Sequence, residues 1–343
     1  MTTSSSPHRI VIAGCGSMAR TWAAYALERP HAEIVGLVDL YETSARSFAG
    51  HFGLAVPIFA DLDEAITATG ANLVFDVTIP ESHKQIASTA IARGCSIFSE
   101  KPMAASYEDA KELAALAEKS GARYAIMQNR RFLPKARALK DFIATEAIGP
   151  IGAIHADFFL GPHFGGFRDL MEHPLILDMA IHTFDQARQI SGANPVSVYC
   201  HEFNPPGSWY QGHAAAICIF EMSDGSVFSY RGSWCAEGFA TSWQADWRIL
   251  GAKGTVRWDG ENDPVCEMVD ESQRSAFMRP VKRVDVPVAW QGREGHLGCL
   301  DDMFDSLEAG RPSETEYFDN ILSLSMVFGA IQSSKSGQKV MLA

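Results

Sequence analysis

The first third of the chain alternates short apolar runs with amphipathic stretches. The apolar runs are rich in β-branched residues and have the length of buried strands, and the stretches between them carry the periodicity and end signals of helices. The strands are predicted at RIVIAG (9–14), AEIVGLVD (32–39), NLVFDVTIP (72–80), CSIFSE (95–100) and ARYAIMQ (122–128). Strict alternation of strand and helix predicts an α/β fold with a doubly wound parallel sheet.

The pattern changes after Gln128. A helix, an alternating strand (151–161) and an apolar helix (173–188) are followed by strand-turn-strand signals, which predict hairpins in series and hence an antiparallel sheet. The sequence therefore predicts two domains, residues 1–128 with the parallel sheet and 129–343 with an α+β architecture.

The helix HPLILDMAIHTFDQAR carries ionisable groups on an apolar background. Asp178 and His182 are four residues apart, so they are expected on one side of the helix, one turn apart. Burying such groups is costly without a partner or a task. The next acid, Asp185, is interpreted as a structural partner for an arginine such as Arg188.

Three interpretations of Asp178 and His182 stay open at this point. They can form a core pair whose polar atoms are satisfied, they can be two ligands of a metal ion, or they can do catalytic work. A metal site needs a third ligand, for which His163 and His173 are candidates, although nothing in the sequence fixes their geometry.

Composition narrows the class of protein. The chain has 343 residues, of which 47% are hydrophobic and 20% charged, and no run is long enough to span a bilayer. Its net charge of −12 argues against nucleic acid as a partner. The N-terminus MTTSSSPHR lacks an apolar export signal, and seven scattered cysteines indicate reduced thiols, so a cytoplasmic location is expected.

The turn after the first strand, GCGSMA, predicts a dinucleotide site. Gly14 permits the tight turn, Gly16 lets the backbone approach a pyrophosphate, and Ala19 lets the following helix pack closely. Asp39 ends the next strand, where a carboxylate can bind the ribose 2′-hydroxyl. A carboxylate there repels a 2′-phosphate, so NAD is favoured over NADP, with Arg46 in the following helix as the reservation.

Four stretches together resemble one known family, the Gfo/Idh/MocA oxidoreductases. The resemblance covers nearly the whole chain. The stretches are GCGSMA (14–19), TIPESH (78–83), SEKPMA (99–104) and DMAIH (178–182). The resemblance implies a Rossmann domain joined to a substrate domain with a large open, mainly antiparallel sheet.

The resemblance also implies a catalytic group of Lys101, Asp178 and His182. Oxidation of a secondary alcohol requires removal of the hydroxyl proton while hydride leaves the same carbon for the nicotinamide. Histidine titrates near neutrality, so His182 is the expected general base. Asp178 can hold the substrate or the imidazole, and Lys101 can bind the reacting oxygen. No metal is expected.

The remaining site residues are carried over in the same way. Residues expected to bind the cofactor are Gly14, Gly16, Ser17, Met18, Asp39, Thr78, Pro80, His83, Glu100, Lys101 and Arg130. Residues expected to bind the substrate are Lys101, Arg130, His163, Arg168, Asp178, His182 and Tyr230. His83 has a second interpretation as a helix cap, and Arg130 as an ordinary surface arginine.

These features predict an NAD-dependent dehydrogenase acting on a sugar, inositol or related polyol. One alternative is an NAD-dependent glycoside hydrolase on the same fold, which oxidises the sugar transiently, and another is a non-catalytic dinucleotide sensor. The stretch GPHFGGFRDLMEH (161–173) departs from the sequence usual in the family at this point. The substrate of a named family member is therefore not assigned to this chain. The exposed face of an open sheet has to be covered, which predicts a homodimer or homotetramer.

Overall fold

The computed structural model describes residues 8–273 and 277–342. The N-terminal stretch MTTSSSP, part of the segment for which no export signal was predicted, lies outside the described residues. The chain divides into two compact units, each made of two segments. The first consists of the residues up to Asn129 together with Arg293–Ile321. The second consists of Arg130–Gly292 and the chain from Leu322 onward.

The regular elements of the described residues follow the predicted order. The helices are α1 (Ala19–Glu28), α2 (Glu42–Phe52), α3 (Leu62–Thr69), α4 (Pro80–Ala92), α5 (Tyr107–Ser120), α6 (Pro134–Ala144), α7 (Ile181–Ser191), α8 (Gly295–Glu308) and α9 (Tyr317–Ser336). The strands are β1 (His8–Ala13), β2 (Ala32–Val38), β3 (Ile58–Phe59), β4 (Leu73–Asp76), β5 (Ser96–Ser99), β6 (Tyr124–Ile126), β7 (Ile151–Phe159), β8 (Pro195–Phe203), β9 (Ala215–Met222), β10 (Val227–Ser233), β11 (Asp246–Gly251), β12 (Gly254–Trp258), β13 (Val265–Val269), β14 (Val281–Asp285) and β15 (Val340–Met341).

The first unit contains a six-stranded parallel sheet in the order β3-β2-β1-β4-β5-β6. Its central strands are apolar throughout because a parallel sheet is covered by helices on both faces; Ile10, Val11 and Ile12 are fully buried. The strand order reverses between β1 and β4, and ligands of doubly wound sheets bind at the carboxyl ends of the strands at such a point. The predicted fold class is confirmed.

Local signals mark where helices of this unit begin and end. The carboxylate of Asp61 accepts a hydrogen bond from the Glu64 amide and so caps α3. Ser106 caps α5 through the Asp109 amide. Helix α4 ends at Ala92, and the chain then turns through the left-handed Gly94, where a side chain would be strained.

Helix α8 returns to the first unit, although a linear division at residue 128 assigns it to the second. Its inward face presents Phe304, whose ring contacts the rings of Phe75 and Phe98 in the sheet. The Tyr25 hydroxyl on α1 donates to Asp301 at 2.9 Å. An amphipathic pattern predicts a helix but not its packing partner, so these long-range contacts could not be placed from the sequence.

The second unit contains a nine-stranded sheet in the order β14-β13-β12-β11-β7-β10-β9-β8-β15. All its pairings are antiparallel except that of β7 with β10. Along β8 to β10 buried and exposed positions alternate, as the pleat requires. One face is core, and the other exposes apolar side chains, including Tyr199, Ile217 and Ile219.

The helix predicted over residues 173–188 has two parts. Leu175–Ala180 forms a π-helical turn, and α7 follows directly from Ile181. A π-turn inserts extra backbone into a helix and is frequent at functional sites. Asp178 lies in the π-helical turn and His182 in the first turn of α7.

Three further observations concern the described residues as a set. Their helices include none that is long and apolar enough to cross a membrane. They contain no group of three or more His, Cys, Asp and Glu side chains that could hold a metal ion. All seven cysteines are free, and six of them are buried.

Candidate functional site

The turn between β1 and α1 has the geometry that its glycines predict. Gly14 has a φ of +86°, and a Cβ built there would lie 2.5 Å from the carbonyl oxygen of Val77. A Cβ on Gly16 would meet no protein atom within 4 Å, so the space beside this backbone is open to a ligand. Ala19 is fully buried, and α1 begins there with its first amide groups facing the turn.

Asp39 is held against this turn. It directly follows β2, and its carboxylate accepts hydrogen bonds from the Cys15 amide at 2.9 Å and the Tyr41 amide at 2.8 Å. A carboxylate accepts about four hydrogen bonds, so acceptor capacity remains for a diol. Burial, and next the Asp39 charge, raise the pKa of the Cys15 thiol to about 12, so this thiol stays protonated at neutral pH.

A cavity of about 390 Å³ opens at the carboxyl ends of β1, β2 and β4. Its wall includes the predicted residues Gly14, Gly16, Asp39 and Thr78. It also includes residues that the sequence reasoning did not single out: Cys15, Val38, Leu40, Tyr41, Ser44, Ala60, Asp61, Leu62, Val77, Ile79, Ser82, Gln85, Ile86 and Thr89. Their positions just after strands were the signal that could have identified several of them.

Three side chains of this wall are exposed and largely apolar. Leu40 and Tyr41 follow Asp39, and Ile79 follows Thr78. Exposed apolar groups around a polar cleft suit a flat heterocycle such as adenine. Arg46 was the residue that weighed against the choice of NAD over NADP. Its Nε donates to Glu42 at 2.9 Å on the exposed face of α2.

His83 does not lie where a cofactor could contact it. The N-cap of α4 is Ile79, and His83 is fully buried inside the helix. Its Nδ1 is 2.7 Å from the carbonyl oxygen of Pro102 and its Nε2 is 3.3 Å from that of Thr78. Its assignment to the cofactor site and its second interpretation as a cap are both corrected: it joins the loops after β4 and β5.

The loop after β4 is also fixed by a buried acid. The Thr78 hydroxyl donates to Asp76 at 2.6 Å. Burial raises the pKa of the Asp76 carboxyl, and the nearby His83 ring opposes that rise. Pro80 occupies the first turn of α4, where its missing amide costs nothing.

The loop after β5 carries Glu100 and Lys101. Glu100 is nearly buried, and its carboxylate accepts hydrogen bonds from the Trp22 indole at 2.9 Å and from the Lys101 amide at 3.3 Å. The carboxylate is therefore fixed by α1 and by its own chain, and it can hold neighbouring polar groups in one orientation.

His296 is a titratable group of the first unit that the sequence reasoning missed. It begins α8, is half-buried, and lies with Nδ1 3.4 Å from the side-chain nitrogen of Asn129. Burial lowers its pKa, with Lys101 acting in the same direction and Glu100 opposing it. Nothing near His296 in the sequence marks it, because its neighbours here are more than 160 positions earlier in the chain.

In the second unit, Asp178 is paired with a predicted substrate residue. Arg168 Nε donates to Asp178 at 2.7 Å. The guanidinium also lies over the rings of Phe164 and Phe167, at 5.2 and 4.7 Å from their centroids. The structure thus brings Arg168 and Asp178 together through a loop and a helix that the sequence placed separately.

Asp185 has the structural role that was predicted, with a different main partner. Arg131 binds it through two hydrogen bonds of 2.7 and 2.6 Å, and the Ser323 hydroxyl donates at 2.6 Å. Arg188 is further away, at 4.0 Å. His182, one turn before, is largely buried.

Arg130 is no surface arginine, since only 8% of it is exposed. Its Nη2 lies 3.9 Å from the Met179 sulfur, and its Nη1 has no hydrogen-bond partner among the described residues. Burial lowers its pKa to about 10, so it remains charged at neutral pH. A buried guanidinium beside a weak acceptor has capacity for a ligand oxygen.

Tyr230 and His163 differ in their access to solvent. Tyr230 is fully buried in the sheet, against the ring of Phe184, so its assignment to the substrate site is corrected: it is a core residue. His163 is exposed, stacks on Trp209 with ring centroids 3.7 Å apart, and has Nε2 3.2 Å from a Glu237 oxygen.

Comparison with known proteins agrees with this architecture. The oxidoreductase family with an NAD-binding Rossmann fold, Gfo/Idh/MocA, matches residues 8–128, and the Gfo/Idh/MocA C-terminal domain matches residues 136–257. An uncharacterised protein of Sinorhizobium fredii, y4oX, is 28% identical over 97% of this chain and 95% of its own length. D-glucoside 3-dehydrogenase of Escherichia coli is 28% identical over 60% of each chain.

Among solved structures, an oxidoreductase from Agrobacterium radiobacter, determined in complex with NAD+, L-tartaric acid and magnesium, shares the fold. Its TM-score is 0.84 at 21% identity, covering 97% of this chain and 98% of that one. With both family domains matched in order, the chain belongs to the Gfo/Idh/MocA family and is an oxidoreductase whose first domain binds NAD.

Proposed function

We propose that this protein is an NAD-dependent dehydrogenase that transfers a hydride between a secondary alcohol of a sugar, inositol or related polyol and the nicotinamide. The observation that carries the proposal lies in the second unit. There the carboxylate of Asp178 is paired with Arg168, and the largely buried His182 follows Asp178 by one helical turn. Relatives named for such activity, including the D-glucoside 3-dehydrogenase, support this substrate class.

The cofactor is assigned to the cleft of the first unit. Gly14, Gly16, Ser17 and Met18 supply a turn and helix N-terminus suited to a pyrophosphate, and Asp39 supplies acceptors for a ribose diol. Thr78 lines the same cavity, and we assign Pro80 to the cofactor site with it and Glu100 to the nicotinamide end. Bound NAD supplies the hydride acceptor.

The group that accepts the hydroxyl proton of the substrate is assigned to the second unit. We infer that His182 accepts the hydroxyl proton, because an imidazole titrates near neutrality. Arg168 donates to one carboxylate oxygen of Asp178, and we assign Asp178 to hold a substrate hydroxyl or the imidazole. Lys101 of the first unit is assigned to the reacting oxygen, whose negative charge it stabilises.

Arg130 is assigned to a second substrate oxygen. Its guanidinium has one nitrogen without a partner among the described residues, next to Met179 of the π-helical turn. A ligand hydroxyl or carboxylate there would satisfy the buried donor, and a charge-assisted hydrogen bond of this kind contributes about 1.5–3 kcal/mol.

The test is a screen of polyols, aldoses and glycosides with NAD and NADP, read as nicotinamide absorbance. Net NADH formation with at least one sugar or polyol, preferring NAD, is expected. Release of an aglycone without net NADH would instead identify the glycoside hydrolase, which none of the named relatives supports. Turnover of no polyol or sugar contradicts the proposal.

A cytoplasmic location and a homo-oligomeric state belong to the same proposal. The apolar side chains exposed on the outer sheet face, among them Tyr199, Ile217 and Ile219, are what a second subunit would cover. Light scattering at micromolar concentration is expected to give the mass of a dimer or tetramer, and a monomer would contradict the assembly.

A further inference from the structure

The loop after β7 exposes aromatic rings next to Asp178. Phe164 is 53% exposed and Phe167 66%, and Trp243 nearby in the fold is 44% exposed. We call Phe164, Phe167 and Trp243 the aromatic platform. Single exposed apolar residues need no explanation, but a group of exposed rings in contact commonly marks a binding surface.

The loop that carries two of these rings is fixed at several points. The Tyr210 hydroxyl donates to the Pro162 carbonyl at 3.3 Å, and the Gln211 amide donates to the Asp169 carbonyl at 2.8 Å. The His213 amide donates to the Glu172 carbonyl at 2.9 Å. A loop without such hydrogen bonds would lose conformational freedom on binding a ligand, at a cost in binding free energy, whereas this loop is already organised.

The rings themselves are also positioned. Phe164 packs edge-on against the buried Trp234, with centroids 5.8 Å apart, and lies 6.2 Å from Trp243. Edge-to-face packing of this kind adds about 0.5–1.5 kcal/mol to simple burial. The packing of Phe164 against Trp234 therefore fixes the orientation in which its ring is exposed to solvent.

The platform is continuous with the carboxylate assigned to catalysis. Arg168 covers Phe164 and Phe167 with its guanidinium and binds Asp178 through Nε. A substrate hydroxyl bound to Asp178 would therefore be separated from two phenyl rings by the Arg168 side chain. A polyol held only by its hydroxyls would leave these rings in water.

We propose that the substrate is a glycoside with an apolar, aryl or alkyl, aglycone, which rests on the aromatic platform while a sugar hydroxyl binds Asp178. The proposal rests on the dehydrogenase function above. A flat apolar group gains from the ring faces without needing hydrogen-bond partners.

The experiment compares matched substrates with purified full-length protein and NAD. Methyl and phenyl glycopyranosides of glucose, galactose and mannose are assayed in pairs, together with the free sugars, cellobiose and myo-inositol. The phenyl member of the reactive pair is expected to have a KM about tenfold lower than the methyl member, the size expected when a phenyl ring is buried against aromatic faces.

Phe167→Ala removes the more exposed ring, and Phe167→Leu keeps apolar bulk without it. Phe167→Ala is expected to bring the ratio of methyl to phenyl KM close to one, and Phe167→Leu to an intermediate value. Phe318→Ala is the matched control, since Phe318 is a 51% exposed phenylalanine on α9. Quenching of tryptophan fluorescence by the phenyl glycoside gives the same comparison as binding, without turnover.

The outcomes separate the two proposals. Oxidation of sugars with equal KM for methyl and phenyl glycosides, an equal gain with cellobiose, or a ratio that survives Phe167→Ala would overturn the aglycone site and leave the dehydrogenase intact. A change of mass in light scattering for Phe167→Ala with an unchanged KM ratio also overturns it, because the platform is then a subunit interface. Absence of all sugar oxidation rejects the dehydrogenase first.

Discussion

The nucleotide cleft of the first unit and the Asp178 region of the second unit are built from different parts of the polypeptide. The cleft lies at the ends of β1, β2 and β4, where the backbone of the glycine turn is open to a ligand and Asp39 supplies a charged acceptor. The Asp178 region consists of long charged side chains paired at close range, such as Arg168 with Asp178 and Arg131 with Asp185.

This difference indicates how each region responds to change. Backbone recognition depends on the absence of side-chain atoms, so adding a methyl group is the damaging substitution. Buried side-chain recognition depends on charges that compensate each other, so removing one group leaves its partner uncompensated. The variants below test whether binding and chemistry separate along this line.

The largest effect is expected from His182→Ala. Loss of the proposed general base is expected to lower kcat by about 10²–10⁴-fold, because general-base catalysis contributes a factor of this size. Nicotinamide absorbance measures kcat, and calorimetry measures the Kd for NAD, which is expected to change less than threefold. His201→Asn, an exposed histidine on β8, is the control. A variant with full turnover would remove His182 from the mechanism.

Two glycine variants come next. Gly14→Ala is expected to lower the free energy of unfolding by about 2–4 kcal/mol, since it combines a left-handed backbone with a clash against Val77. Gly16→Ala has open space around the added Cβ, so its stability is expected to change by less than about 1 kcal/mol while NAD binding weakens. Urea unfolding and NAD titration separate the pair; equal stability losses would contradict the distinction.

Asp39→Asn tests the charge in the backbone cleft. Loss of charge-assisted hydrogen bonds is expected to raise the Kd for NAD about 10- to 100-fold and to raise that for NADP less, because the repulsion of a 2′-phosphate disappears too. Asp63→Asn, an exposed acid paired with Arg93, is the control for net charge. An unchanged ratio of the two dissociation constants would mean that Asp39 does not select the cofactor.

The same contrast explains what could be predicted from the sequence. Strand ends and turn glycines are local signals, so the parallel sheet and the GCGSMA turn could be identified. The fate of a side chain depends on distant packing. His83 and Tyr230 have functional-looking positions in the sequence yet are fully buried, and neither burial could be deduced locally.

Arg130 shows the opposite case, because a family arginine with an ordinary surface interpretation is buried with a nitrogen that has no partner in the described chain. The packing of α8 in the first unit could not be predicted either, because it also depends on residues that are distant in the sequence. Phe304 of α8 packs against Tyr25 and Arg29 of α1, which lie some 270 positions earlier in the chain.

The smallest effect is expected at the residue hardest to predict, His296. Burial lowers its pKa, so between this pKa and the value near 6.5 of an unfolded histidine the unfolded chain binds the proton first. The contribution of this group to stability is therefore present above about pH 6.5 and is lost as the pH falls below it.

His296→Gln keeps a polar side chain beside Asn129 but removes the titration. Its free energy of unfolding is expected to fall less steeply than that of the wild type between pH 7 and pH 5, as measured by urea unfolding across that range. Glu100 and Lys101 face His296 and are present in both proteins. Parallel curves would show that His296 binds its proton equally in the folded and unfolded chains, and a steeper curve for the variant would reverse the sign of the shift.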